Sequence, residues 1–366
     1  MQLSDGASVL LYLAVFISAA VFAYLGQKKN RKFFCILAIL LPALLAGFRY
    51  SAGTDSLTYR SLYEQVGTES PEMHAWRVTD GGLEPFVVYV SALGNYLQLP
   101  PSFLFFTFAI ITTGFLCAVT RTFSRNRAWL FYGMLMLIVF PESFNMMRQL
   151  AANSVQAFCL AHILKSQRYN MRAKVVPILL LLAFSVTLHY SSILILPVFL
   201  LPIIIKYVRG RTLALLLCLF ICGCVLAFPA LLDFVISLGI LTERHYETFM
   251  EMPGSIINIK FFAAAILAAI MLANYHRREL KFDKQYSLLL LLGTAYAAVG
   301  FYSGYLGRLA VFFWIFIVMV GGEMLCQLFK KDRHRFAVCS AVAIVYFLVF
   351  FCVLGFEAII PYSFAL

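Results

Sequence analysis

The sequence predicts an all-α polytopic membrane protein. Three observations carry that expectation: 62% of the 366 residues are hydrophobic, only 13% are charged, and apolar runs of membrane-spanning length recur between short basic loops. So apolar a chain has too little polar surface to cover a water-soluble globule. A helix needs about 20 apolar residues to cross the bilayer core, and fewer where its ends are shielded by protein. About twelve crossings are expected within one polytopic domain spanning 1–366.

The first run, 7–25, has no basic residue before it and the cluster QKKNRK after it, the reverse of a secretory signal. It reads as a retained helix with its N-terminus outside. The next crossing is 33–48, and 102–120, 128–141, 145–164, 175–188 and 190–206 follow. The remaining runs are 212–230, 259–274, 285–303, 308–328 and 336–354, which return the C-terminus to the outer side. Two long outer loops, 49–101 and 231–258, interrupt the series.

Charge fixes the orientation. Six loops (26–32, 121–127, 165–174, 206–211, 275–284 and 329–335) hold 22 of the 29 Lys and Arg against three acids, Glu279, Asp283 and Asp332, which makes them cytoplasmic. The opposite side keeps seven basic residues and thirteen acids, so the net charge of +12 reflects anchoring and not affinity for nucleic acid, which is excluded as a partner. The segment 83–98, LEPFVVYVSALGNYLQ, is long enough to cross, yet a crossing there would place Arg121, Arg125 and Arg127 outside. An interfacial or re-entrant helix on the outer face fits better, with Phe86, Val90, Leu93 and Leu97 at helical spacing. All nine cysteines fall inside expected spans, which implies no disulfide framework. Cys218, Cys222 and Cys224 have no polar company and read as apolar packing, and no His or acid spacing points to a metal or a cofactor.

Ionisable groups in or beside a membrane span are costly, about 2.5–3.5 kcal/mol each at a helix centre, so each needs a reason. Here they gather at the outer ends. Arg49 closes the second crossing, Arg148 opens the fifth, His189 lies at the tight junction of the sixth and seventh, and Arg308 opens the eleventh. From Asn145, the positions Gln149, Ala152 and Gln156 follow one helix face beside Arg148, a polar stripe suited to a water-filled cavity or to interhelical hydrogen bonds. His189 is either an interfacial side chain or a proton-transfer group, and Arg308 either snorkels to head groups or turns inward. The first outer loop mixes Asp55, Arg60, Glu64 and Arg77 with Tyr50, Tyr59, Tyr63 and Trp76, a composition suited to hydroxyl-rich ligands. In the second, Glu243, Arg244 and His245 read equally as ligand contacts or a solvated face.

The segments FRYSAGTDSLTY, FNMMRQLAA, LHYSSILILP, GRLAVFFW and IPYSF, in that order from about residue 45 to the C-terminus, resemble the EpsG family of Wzy-type polysaccharide polymerases. The Arg, Gly, Asp, Tyr series at 49, 53, 55 and 59 with Asn145, Arg148 and Gln149 is the most specific part. The resemblance implies a fold similar to GT-C glycosyltransferases. It also implies polymerisation of undecaprenyl-pyrophosphate-linked repeat units at the outer side of a bacterial cytoplasmic membrane, for exopolysaccharide, capsule or O-antigen. A flippase and a chain-length regulator are the protein partners such a pathway would add. By similarity, Arg49, Asp55, Tyr59, Arg148, Gln149, His189 and Arg308 are the functional positions.

Chemistry accords with that expectation. Outside the cell a glycosyl transfer needs an already activated, lipid-linked donor, and its departing pyrophosphate needs fixed positive charge. Arginine donates two hydrogen bonds from a planar fork and stays protonated. Arg49, Arg148 and Arg308 are expected to hold the pyrophosphate, Asp55 or His189 to take the acceptor proton, and Asn145 and Gln149 to orient ligand oxygens. A flippase would need a cavity that also opens to the cytoplasm, whereas the embedded arginines lie only at outer ends. An O-acyltransferase would need a cytoplasmic route for its donor. A glycan ligase or single-sugar lipid-linked glycosyltransferase shares the chemistry and differs only in product.

Overall fold

The structure, a computed structural model, describes residues 1–166, 172–200, 259–277, 284–301 and 307–365. Among them the regular elements are all helices, and β-bridging is confined to two isolated pairs, Gln2 with Ser363 and Arg49 with Phe364. Among the described residues four helices are long and apolar enough to cross a membrane: Asp5–Lys29, Ser102–Phe123, Ala310–Leu328 and Asp332–Val353. Shorter apolar helices occupy most of the other runs expected to cross. The expected crossing 212–230, the outer loop 231–258 with Glu243, Arg244 and His245, and the Cys218, Cys222 and Cys224 group lie outside the described residues.

The chain divides into two compact units, Met1–Leu194 with Leu328–Leu366, and Ile195–Gln327. In the first, α1 (Asp5–Lys29) starts where the Ser4 side chain accepts from Ala7 N, and stops at Asn30 in the left-handed region. A short turn leads to α2 (Lys32–Gly47). Three short helices follow: α3 (Ser56–Gly67), α4 (Pro71–Thr79) and α5 (Pro85–Tyr96). Then come α6 (Ser102–Phe123), α7 (Ala128–Ile138), a 3₁₀ turn Phe140–Phe144, α8 (Met147–Ser166) and α9 (Arg172–Leu188). A 3₁₀ helix, Tyr190–Leu200, succeeds α9. Packing runs α1 on α2, α2 on α6, α6 on α8 and α8 on α9, with α7 on α1.

Both ends of this unit are tied by polar contacts. At the basic end, Gln27 Nε2 donates to Asn126 O at 2.8 Å and Lys165 Nζ to Thr122 O at 3.3 Å. At the other end, the C-terminal tail lies between the N-terminus and the residues after α2, with Tyr50 N to Ser363 O at 2.7 Å and Leu3 N to Tyr362 O at 2.9 Å. Beneath it, Tyr12, Phe16, Phe140, Phe144 and Tyr362 interlock edge to face, contacts worth about 0.5–1.5 kcal/mol each beyond their buried area.

The expected interfacial helix is α5, but its faces differ from the apolar spacing. Val87, Val88, Ser91 and Gly94 are the buried positions, while Tyr89, Leu93, Tyr96 and Leu97 are exposed. Asn95 explains the rotation, because its Nδ2 donates to Tyr63 O at 2.8 Å and so turns the polar edge of the helix toward α3. An apolar face is thereby left outward, as a helix lying in an interface requires.

The second unit contains α10 (Ile259–Arg277), α11 (Lys284–Val299) and α12 (Ala310–Leu328). Gly293 lets α11 approach Phe313 of α12, and Gly321 lets α12 approach Leu267 of α10. The last helix of the chain, α13 (Asp332–Phe347), belongs to the first unit, packs on α7 and continues as a π-helical turn, Leu348–Val353.

Candidate functional site

The ends of four helices of the first unit, α3, α5, α8 and α9, deliver four polar side chains to one place. Pro85 takes the first position of α5, where its fixed φ suits a helix start and its missing N–H costs nothing. Glu84 therefore sits at the cap with extended backbone, and its side chain makes no cap hydrogen bond. It turns toward α8 and α9 instead. Arg148, in the first turn of α8, donates from Nη1 to Glu84 Oε2 and from Nε to the Tyr59 hydroxyl at 2.9 Å. His189, just past α9, places Nδ1 2.6 Å from the other oxygen, Glu84 Oε1. Its backbone is held by His189 N to Ser185 O and Ser192 N to His189 O, both 3.1 Å.

Accessibility separates the roles these groups can take. The Glu84 side chain is 6% exposed, whereas those of Arg148 and His189 are 24% and 16% exposed, so the carboxylate is more enclosed than its two partners. Burial pushes the Glu84 carboxyl up, but its hydrogen bond with His189 and the Arg148 charge outweigh that and hold it below the usual carboxylate value. It is an anion here. Arg148 Nη2 and His189 Nε2 have no hydrogen-bond partner among the described residues, which leaves the two N–H groups of Nη2 and one ring nitrogen for a ligand. Tyr59 is buried on α3, and burial raises its phenol, so it remains a neutral O–H beside the guanidinium.

Arg49 is placed differently from the expectation that it faces a ligand. It is 1% exposed, and its guanidinium lies between two rings, 4.5 Å from the centroid of Phe105 and 4.7 Å from that of Phe144. Nη2 reaches Met147 Sδ at 3.9 Å, next in sequence to Arg148, and Nε has no hydrogen-bond partner among the described residues. Burial pushes this guanidinium down to about 10, so it still carries its charge at neutral pH. Cation–π contact with desolvated rings, worth about 2 kcal/mol or more, takes the place of a counter-ion. Its backbone carbonyl accepts from Arg60 Nη2, which ties α3 to the end of α2.

The remaining expected positions divide. Asp55 caps α3, half-buried, four residues before Tyr59 and so on the same face, and it accepts from Thr54 Oγ1 at 3.2 Å. The turn that brings it there depends on Gly53, whose φ of +90 favours glycine and whose N–H donates to Ala358 O at 3.0 Å. Asn145 precedes α8 instead of opening it, and its Nδ2 donates to Glu357 Oε2 at 2.5 Å. Gln149 is buried at 7% exposure. Gln156 is fully buried and donates to Ser192 O at 2.9 Å, so this lower part of the stripe is interhelical bonding. Arg308 belongs to the second unit, in the turn before α12.

Glu84 is the residue that reading the sequence alone passes over. One signal for it exists: it is the only acid between residues 81 and 141, and it stands directly before a proline that opens an apolar helix. Residues 32–364 match the family model described as the EpsG family, and the chain therefore belongs to that family. No curated protein and no solved structure matches the sequence.

Proposed function

For this EpsG-family protein, we propose polymerisation of lipid-linked oligosaccharide repeat units at the outer face of a bacterial cytoplasmic membrane. Wzy-type polysaccharide polymerisation is the usual function of the family, and the apolar helices suit a membrane enzyme of that type. The observation that carries the finer reading is the meeting of Arg148 and His189 on Glu84, at the end of the unit away from its basic loops. A cation and a base side by side are what a transfer from a pyrophosphate-linked donor requires.

In this mechanism His189 Nε2 takes the proton of the acceptor sugar hydroxyl. The freed oxygen bonds to the anomeric carbon of the donor chain as the bond from that carbon to the undecaprenyl pyrophosphate breaks. Arg148 meets the departing pyrophosphate through its open Nη2, and buried Arg49 adds positive potential from behind. Asp55 and the Tyr59 hydroxyl, on one face of α3, are proposed to bind sugar hydroxyls. Gln149 and Asn145 are proposed to support this end of α8, and Arg308 is kept as a proposed substrate-binding residue. The same unit count, about twelve crossings in a GT-C-like arrangement, remains part of the proposal.

Purified protein in lipid, supplied with undecaprenyl-pyrophosphate-linked repeat units, tests it. A ladder of products from the wild type, absent in Arg148→Ala and His189→Gln, is expected. A single addition product would favour the ligase or single-sugar reading, and wild-type ladders from both variants would refute the proposed roles.

A further inference from the structure

We propose that Glu84 is a positioning residue that sets the His189 tautomer, with Arg148 acting as the lock that orients the carboxylate. The inference rests on the reading of His189 as the base, and it adds a residue and a device to that reading.

The two oxygens of Glu84 are assigned to different partners. Arg148 Nη1 donates to Oε2, and the His189 Nδ1 contact at 2.6 Å uses Oε1. An ionised carboxylate only accepts, so the proton in the His189 contact must be on Nδ1. In the neutral ring that leaves the lone pair on Nε2, the ring atom with no partner among the described residues, as the site for an incoming hydroxyl proton. When the proton arrives, the imidazolium remains paired with the same buried anion. Without Glu84 the ring could carry its proton on either nitrogen, and only one of those forms can act as base through Nε2.

Arg148 makes the arrangement directional. Guanidinium groups donate and never accept, so an amide at position 84 must turn its oxygen toward Arg148. In Glu84→Gln the NH₂ group then faces His189 Nδ1 and donates to it. The ring proton is driven to Nε2, and the base is lost although shape and volume are nearly unchanged. The variant inverts the tautomer instead of emptying the site.

The test is magic-angle-spinning NMR of ¹⁵N-histidine-labelled protein in lipid, with His189→Gln used to assign the resonances, beside product-ladder assays on the same preparations. The wild type is expected to show His189 protonated on Nδ1 and bare on Nε2. Glu84→Gln is expected to show the reverse, with polymerisation falling about 10²–10⁴-fold, the usual worth of a general base. A wild-type spectrum with the proton on Nε2 overturns the proposal even if the variant fails to fold. So does Glu84→Gln polymerising at the wild-type rate while His189→Gln is inactive. Wild-type ladders from His189→Gln would instead remove the base role itself, and the proposal with it, a failure told apart by which variant retains activity.

Discussion

Arg148 Nε lies 2.9 Å from the Tyr59 hydroxyl, and the guanidinium carbon stands 5.3 Å from the centroid of the same ring. One aromatic residue thus fixes both the reach and the plane of the cation. Tyr59→Phe keeps the ring and removes the acceptor, at a cost of about 1.5–3 kcal/mol for a hydrogen bond to a charged group. Thermal unfolding in detergent should register the loss. Product ladders should shorten in the same variant as Arg148 loses its orientation.

Arg148→Ala should destabilise more than Tyr59→Phe, because it leaves Glu84 buried with one partner missing, about 3–5 kcal/mol for a broken buried pair. In a double-mutant cycle with Glu84→Ala the two losses should be less than additive. Additive losses would mean that the two side chains do not interact in the membrane-embedded protein.

Stability should also depend on acid. Glu84 titrates below its unfolded value of about 4.3, so the stabilisation it contributes is fully present above that value. It is lost as pH falls through the lower, folded value, when protonation ends the pairing with Arg148 and His189. Melting temperatures of wild type and Glu84→Gln measured from neutral to acid pH should converge at the acid end. Parallel curves throughout would contradict this.

Arg49→Met separates charge from packing. The guanidinium is enclosed by Phe105 and Phe144 and has no acidic hydrogen-bond partner among the described residues. A flexible apolar side chain of similar length loses the cation–π contacts but also removes the desolvation cost of a buried charge, so the variant should fold with a net change under about 1.5 kcal/mol. If Arg49 supplies potential to the site, polymerisation should fall at least tenfold in that well-folded variant. Unchanged ladders would assign Arg49 to structure alone.

Gly53→Ala is expected to be severe. At a φ of +90 an L side chain is strained, and its Cβ would press on the Phe144 carbonyl and Asn145 Oδ1. Backbone strain alone is about 1–3 kcal/mol. The unfolding temperature should drop, and limited proteolysis should cut first near the 51–55 turn.

Much of this protein was legible in its sequence because hydropathy and charge are local and additive. Apolar runs and basic loops are enough to indicate an all-helical chain with spans long enough for a membrane. The placing of Arg148 and His189 at one end followed from the same counting of runs. Gly53, Asp55 and Tyr59 were named through resemblance, and the turn and helix they occupy give the spacing a physical basis. What only the tertiary structure decided is which of these groups meet. Glu84 pairs with residues 64 and 105 positions away, and Arg49 lies buried between two rings. Such contacts depend on how separate helices are rotated and on where each side chain finds a partner once water is gone, and neither quantity is written in any single stretch of sequence.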